Sequence, residues 1–325
     1  MREQVNSLAR ANISNRMRTA SPPVDPLPEF LTPAEEMTLV NLYTVELLRA
    51  ASELNLPTDI QATAAMFLRR FYITHSIMTY PPMSLMKTCI FFGCKAEGHY
   101  MRLSKFAGFF PNTTAEEILA AEYILCQGIR FAFDVKHPYR ALEGAIMELR
   151  RLGDFDEDRV NRAHDKAREI LKFSPLVTDA YFHYTPSQIM LAALSIIDDG
   201  LVERILREAF AGQGDIAKEK VSNLIESCKE MLRKEPPERK TEYWGTVSSS
   251  SSRVEDLEPD IPNNYHSQIA TPRSSRRTGN SRSAGIRTGR ISSPCRRPSG
   301  NRRGREPSPS PNLPSRRTGM CLGVA

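Results

Sequence analysis

Along most of the first 235 positions apolar residues recur at three- and four-residue steps, the period of helices that bury one face. The first clear start is Thr32-Pro33-Ala34-Glu35. A threonine oxygen and a glutamate three residues on each satisfy an orphan amide, and proline stands at the first helical position. Val40, Leu47, Leu48, Ala51 and Leu54 then mark one face of a long helix. The device recurs: Thr58-x-x-Gln61 opens a second helix, Pro81-Pro82 a third, Thr114-x-x-Glu117 a fifth, Pro138 a sixth and Thr185-Pro186-x-Gln188 an eighth. A short fourth helix is expected near Leu103 to Phe109, a seventh from Glu157 to Tyr184 with a kink at Pro175, and two more ending near Lys234. No strand pattern competes, so the expected fold is all-α, with roughly ten helices in two sets of five.

Residues 1 to 18 read as a short polar helix, and Ser21-Pro22-Pro23 through Pro28 as a linker that cannot be helical. An aromatic-rich helix end followed by a proline-started apolar helix occurs twice. Arg70-Phe71-Tyr72 leads to Pro82-Met83-Ser84-Leu85-Met86, and Tyr181-Phe182-His183-Tyr184 leads to Pro186-Ser187-Gln188-Ile189-Met190. The offset of about a hundred residues exceeds a solenoid unit and suggests two domain-sized halves. From Thr241 onward Ser, Arg, Pro and Gly dominate with no apolar face to bury, which predicts disorder. The expected organisation is an N-terminal helix and linker (1–29), two five-helix repeats (30–135 and 136–237) and a disordered tail (238–325).

Charge follows this division. Residues 241–325 hold 14 Arg, no Lys and 6 acidic residues, so they carry more than the whole net charge of +6 and leave the helical part slightly acidic. The six cysteines fall at no zinc or disulfide spacing and read as free thiols. Uninterrupted apolar or glycine runs such as Cys89 to Cys94 are far too short to span a bilayer, so a soluble intracellular protein without membrane partners is expected. Cys321, fifth from the end, misses the prenylation position by one residue.

Enzyme signatures do not survive their context. Gly212-x-Gly214 lacks a third glycine, a preceding strand and a Lys-Ser/Thr pair, and reads as a helix-ending loop. The six His include no i, i+4 pair, so neither a metal site nor His-activated nucleophile is implied. Asp198-Asp199-Gly200 lacks the alternating ligands of a calcium loop and reads as a helix end capped by glycine. No cofactor is called for. The informative feature is a pair of charges in apolar helices: Lys95 ends the run Cys89–Cys94, and Glu122 interrupts Ile118–Cys126. Charges in such settings are costly unless paired, so these two are expected to meet. By itself the pairing reads as an intramolecular salt bridge at the edge of the core, stapling the two helices.

Two five-helix repeats, with a lysine ending a buried third helix and a glutamate in the fifth, resemble the cyclin box. Within the cyclins, Glu35-Glu36-Met37-Thr38-Leu39, Arg70-Phe71-Tyr72 with Ser76-Ile77-Met78-x-Tyr80, His137-Pro138-Tyr139-Arg140 and Thr178-Asp179-Ala180-Tyr181-x-x-Tyr184-Thr185-Pro186-Ser187-Gln188-Ile189 resemble the cyclin H group. His-Pro-Tyr-Arg is shared with cyclin C, and the segment ending Tyr184 to Ile189 favours cyclin H. The resemblance implies a non-catalytic nuclear subunit of the transcription factor IIH kinase module. Its partners would be a cyclin-dependent kinase, a RING-finger assembly subunit and, indirectly, the core of that factor. It also implies that Lys95 and Glu122 hydrogen-bond kinase backbone.

The chain departs from the group where Glu97 is followed by Gly98 instead of a second acid, where the C-terminal helix beyond Glu235-Pro236-Pro237 is not recognisable, and where the first helix lacks a Met-Arg-Ala-Ile-Leu patch. Two other readings are a cyclin C-like subunit and a cyclin-fold nucleic-acid binder. The near-neutral helical part argues against the latter, leaving nucleic acid to the Arg-rich tail alone. Ser293-Pro294-Cys295-Arg296 is a phosphorylation candidate of the type cyclin-dependent kinases modify, with Thr271, Ser308 and Ser310 as weaker ones. A chain ending at residue 240 is expected to stay soluble, helical and kinase-binding. Limited proteolysis of the full chain tests the boundary: cleavage concentrated beyond residue 235 is expected, and early cleavage throughout the helical part with a resistant tail would contradict it.

Overall fold

The computed structural model describes residues 1–19, 29–111, 113–212, 215–234 and 236, all within one compact unit. The fold is all-α, with twelve helices and no strand among the described residues. In chain order they are α1 (Arg2–Thr19), α2 (Pro33–Glu53), α3 (Thr58–Thr74), α4 (Pro82–Ala96), α5 (Leu103–Ala107), α6 (Ala115–Gly128), α7 (Tyr139–Leu152), α8 (Glu157–Val177), α9 (Ala180–His183), α10 (Pro186–Ile197), α11 (Asp199–Ala209) and α12 (Asp215–Leu232). Reciprocal capping boxes form at Thr32/Glu35, Thr114/Glu117 and Thr185/Gln188, as their spacing predicts. Among the described residues no helix is long and apolar enough to cross a membrane, and no cluster of His, Cys, Asp and Glu is suited to a metal.

Three local expectations are corrected. Thr58 does not cap α3: Pro57 occupies that position without a side-chain cap, and Gln61 instead donates to the Leu56 carbonyl at 2.7 Å. Gly200 does not end a helix, because the Asp198 carboxylate accepts from the Gly200 and Leu201 amides and starts α11 at once. The helix expected from Glu157 to Tyr184 is two. Pro175 lies inside α8, and the break comes after Val177, whose carbonyl accepts from the Arg69 guanidinium at 3.2 Å. Gly212 sits beyond α11 at φ +85, the left-handed position its reading as a helix-ending loop requires.

Two apolar clusters form. The first surrounds α3 and α4, whose Phe67, Phe71, Tyr72, Cys89 and Ile90 are fully buried; each such large side chain contributes about 1.5–3 kcal/mol on leaving water. It also takes Ala9, Ile13 and Met17 from α1, the helix that reads as polar. The second surrounds α10, buried from Ile189 to Leu194. Helix α8 belongs to both: Val160, Ala163, Ala167 and Leu171 lie in the second cluster, Leu176 and Val177 in the first.

The seam between the clusters is polar and centred on Arg69, which is 4% exposed. One guanidinium nitrogen donates to Asn41 Oδ1 at 2.8 Å and to the Val177 carbonyl, and the other to Asp179 Oδ1 at 2.6 Å. Burial works against its charge, and the Asp179 carboxylate works for it. Since Asp179 is itself half exposed, the hydrogen bonds to Asn41 and Val177 carry more weight than the ion pair. Arg69→Met is expected to lower unfolding free energy by about 2–4 kcal/mol, and Asp179→Asn by about 1 kcal/mol or less. Urea melts of the two variants check this ordering.

Candidate functional site

Lys95 sits in the last turn of α4 and Glu122 in the middle of α6, and the structure brings them together. Lys95 Nζ donates to Glu122 Oε1 at 2.6 Å and Oε2 at 2.9 Å. The ammonium also lies 5.4 Å from the Phe91 ring and 6.0 Å from that of Phe92. Close packing of each helix against α3 sets where the two lie. A Cβ on Gly93 of α4 would stand 3.2 Å from Ala64 Cβ, and one on Gly128 of α6 would overlap the buried Phe71 ring at 2.3 Å. Thr88 Oγ1 of α4 donates to the Ile118 carbonyl of α6 at 3.3 Å.

The pair lies at the edge of the core, as the sequence suggests, and more open to solvent than the flanking apolar runs imply. Lys95 is 47% exposed and Glu122 18%. Of the apolar run on α6 only Ile118 and Leu125 are buried, while Leu119 and Tyr123 stand in solvent. An ion pair on such a rim adds little to stability. Its polar groups are partly open to solvent.

A cleft of about 470 Å³ adjoins the pair, lined by Phe92, Lys95, Ala96, Glu97, Phe133, Asp134 and Val135. Its far wall is Phe133, Asp134 and Val135, which follow a turn after α6 where Arg130 and Phe131 hold φ values of 55° and 57°, a left-handed conformation unfavourable to residues other than glycine. Arg70 of α3 secures this turn by donating to the Ala132 and Asp134 carbonyls at 2.8 and 3.0 Å. Exposed apolar side chains make up this rim: Leu119 and Tyr123 flank Glu122 along α6, and Phe133 packs on Phe92 and on Phe131. Sequence reasoning did not single out these four. The signal for Leu119 and Tyr123 was an α6 run apolar on more faces than one core can cover.

Glu97 caps α4, and its carboxylate accepts from Thr63 Oγ1 at 2.5 Å, so this acid is held within the chain. The four cysteines among the described residues are free, and burial raises each thiol above its ordinary value, keeping them protonated at neutral pH. Thr271, Ser293, Ser308 and Ser310 lie outside the described residues.

The family model for the cyclin C-terminal domain matches residues 137–233. A chain of the CAK complex from Chaetomium thermophilum, solved with ATP-gamma-S, superposes with a TM-score of 0.76 at 50% identity, covering 87% of this chain and 91% of that one. A chain of the yeast TFIIK (Kin28/Ccl1/Tfb3) complex superposes with a TM-score of 0.57 at 33% identity, covering 61% and 87%. Cyclin-H of Xenopus laevis is 30% identical over 59% of this chain and 62% of that protein. The chain belongs to the cyclin H family. It spans about half the length of the fungal curated relatives it matches. In this cyclin the contact of α6 with α3 places Glu122, so Gly128→Ala is expected to displace α6 and destabilise by about 1–3 kcal/mol. Thermal melts, together with loss of the Lys95–Glu122 contact in a crystal structure of the variant, check it.

Proposed function

We propose that this cyclin binds and activates the cyclin-dependent kinase of the transcription factor IIH module, and contributes no catalytic residue itself. The observation that carries the reading is the Lys95–Glu122 pair, set on an exposed apolar rim instead of in the core. The ammonium keeps a donor free beyond its two bonds to Glu122, and carboxylate oxygens accept more than one hydrogen bond each, so both partners have capacity for kinase backbone groups. Leu119, Tyr123, Phe131 and Phe133 supply the apolar area around them. Together they form a rigid surface able to hold the kinase αC helix inward, where the kinase's own Lys–Glu pair positions ATP. Relatives from the CAK and TFIIK complexes support a kinase partner and a third, assembly subunit. The resemblance to cyclin H further implies action in the nucleus on the RNA polymerase II repeat tail.

The test is the double variant Lys95→Met, Glu122→Gln, titrated against the kinase that co-purifies with the tagged cyclin, with a polymerase-tail peptide as substrate. If the pair only staples α4 to α6, activation at limiting cyclin should match wild type. If it binds kinase backbone, lost charge-assisted bonds of about 1.5–3 kcal/mol each should reduce apparent affinity about ten- to a hundredfold at unchanged thermal stability.

A further inference from the structure

A chain of hydrogen bonds crosses from the second half of the molecule to the cleft beside Lys95. The Tyr181 hydroxyl of α9 lies 3.0 Å from His137 Nδ1; His137 Nε2 lies 2.8 Å from Thr63 Oγ1 of α3; and Thr63 Oγ1 lies 2.5 Å from Glu97 Oε1. Counting protons gives one consistent arrangement. A carboxylate only accepts, so Thr63 donates to Glu97 and must accept from His137. This puts the imidazole proton on Nε2 and leaves Nδ1 to accept from Tyr181. The neutral ring therefore satisfies every group in the chain, and a second ring proton would oppose the Tyr181 hydroxyl proton.

We propose that His137 is a positioning residue: through Thr63 it holds the Glu97 carboxylate on its own wall of the cleft, so that the Lys95 ammonium is left to Glu122 and to the kinase. Glu97 follows Lys95 by two residues, and both line the same cleft. Released from Thr63, its carboxylate becomes a competitor for the ammonium. The binding face of the first half then depends on the docking of α9 and the segment before α7 in the second. This rests on the kinase-binding reading of Lys95 and Glu122 and adds a control on it.

The groups facing His137 are Asp59, Thr63 and Arg70 of α3, Glu97 at the end of α4, Asp134 of the preceding turn, Tyr139 of α7 and Tyr181 of α9. Burial is the largest influence and lowers the pKa of His137; Arg70 acts in the same direction, while Asp59, Glu97 and Asp134 oppose it. A histidine lowered by folding gives its stabilisation in the neutral form. That contribution is complete above the ordinary histidine value and is lost as pH falls through the lowered one.

The experiment measures kinase affinity of the full chain for His137→Phe and for the isosteric Thr63→Val, each with Glu97 intact and in the Glu97→Gln background. With Glu97 intact, each is expected to weaken binding about fivefold. In the Glu97→Gln background the further loss is expected to vanish, because no competing carboxylate remains. His137→Gln, which keeps a donor toward Thr63, is expected to recover most of the affinity. Wild-type binding should also weaken in acid, and His137→Gln should flatten that dependence. Equal losses in both backgrounds would reduce the chain of bonds to ordinary structural support and overturn the proposal. Nitrogen NMR of the free full chain gives a kinase-independent check: a protonated or Nδ1–H ring at pH 7 would also overturn it. Failure of wild type to bind the kinase at all, with the Nε2–H ring present, would instead count against the functional reading.

Discussion

The guanidinium of Arg69 is the interaction on which the architecture turns. It is buried at the junction of α2, α3 and the end of α8, and takes up the Val177 carbonyl where α8 stops. A helix that ends inside a protein leaves carbonyls in need of donors. Arg69 supplies one, and its bond to Asp179 fixes the direction in which the chain leaves toward α9. Because α8 is packed into both apolar clusters, fixing its end fixes one half of the molecule against the other. A lysine has no planar fork and could not satisfy Asn41, Val177 and Asp179 in the same geometry.

The segments that carried the family resemblance meet around this seam. Glu36 is fully buried, accepts from Ser76 and faces Arg2 of α1 at 3.9 Å; burial raises its pKa, and Ser76 and Arg2 pull it back. Arg70 holds the turn beyond α6, Asp179 meets Arg69, and His137 joins Thr63 to Tyr181. Glu36 with Ser76 and His137 with Tyr181 meet each other, and Arg70 and Asp179 reach polar groups elsewhere in the chain, whereas the residues that line each core are interchangeable in kind with other apolar ones. The resemblance thus marks how two helical units are joined.

The rim around Lys95 follows the opposite logic. Its ion pair adds little to stability and its aromatic side chains stand in solvent next to a turn in an unfavourable conformation. Exposed apolar area next to groups with spare hydrogen-bonding capacity is what an interface requires and what a free surface avoids. Folding alone gives no reason for Phe131 to be exposed.

What the sequence by itself determined was local. Capping boxes at Thr32, Thr114 and Thr185, the buried run from Cys89 to Cys94 and the apolar periodicity of the helices were legible because a helix start is decided within four residues and a buried face repeats with the helical period. The encounter of Lys95 with Glu122 was legible as well, since each interrupts an apolar stretch. Tertiary structure decided whatever depended on a distant partner. It ended α8 at Val177 through a guanidinium 108 residues away, recruited polar α1 into the first cluster, and left the Lys95 side chain about half exposed. It also joined Tyr181, His137, Thr63 and Glu97 into one line of hydrogen bonds, from residues that carry no shared spacing or periodicity in the chain.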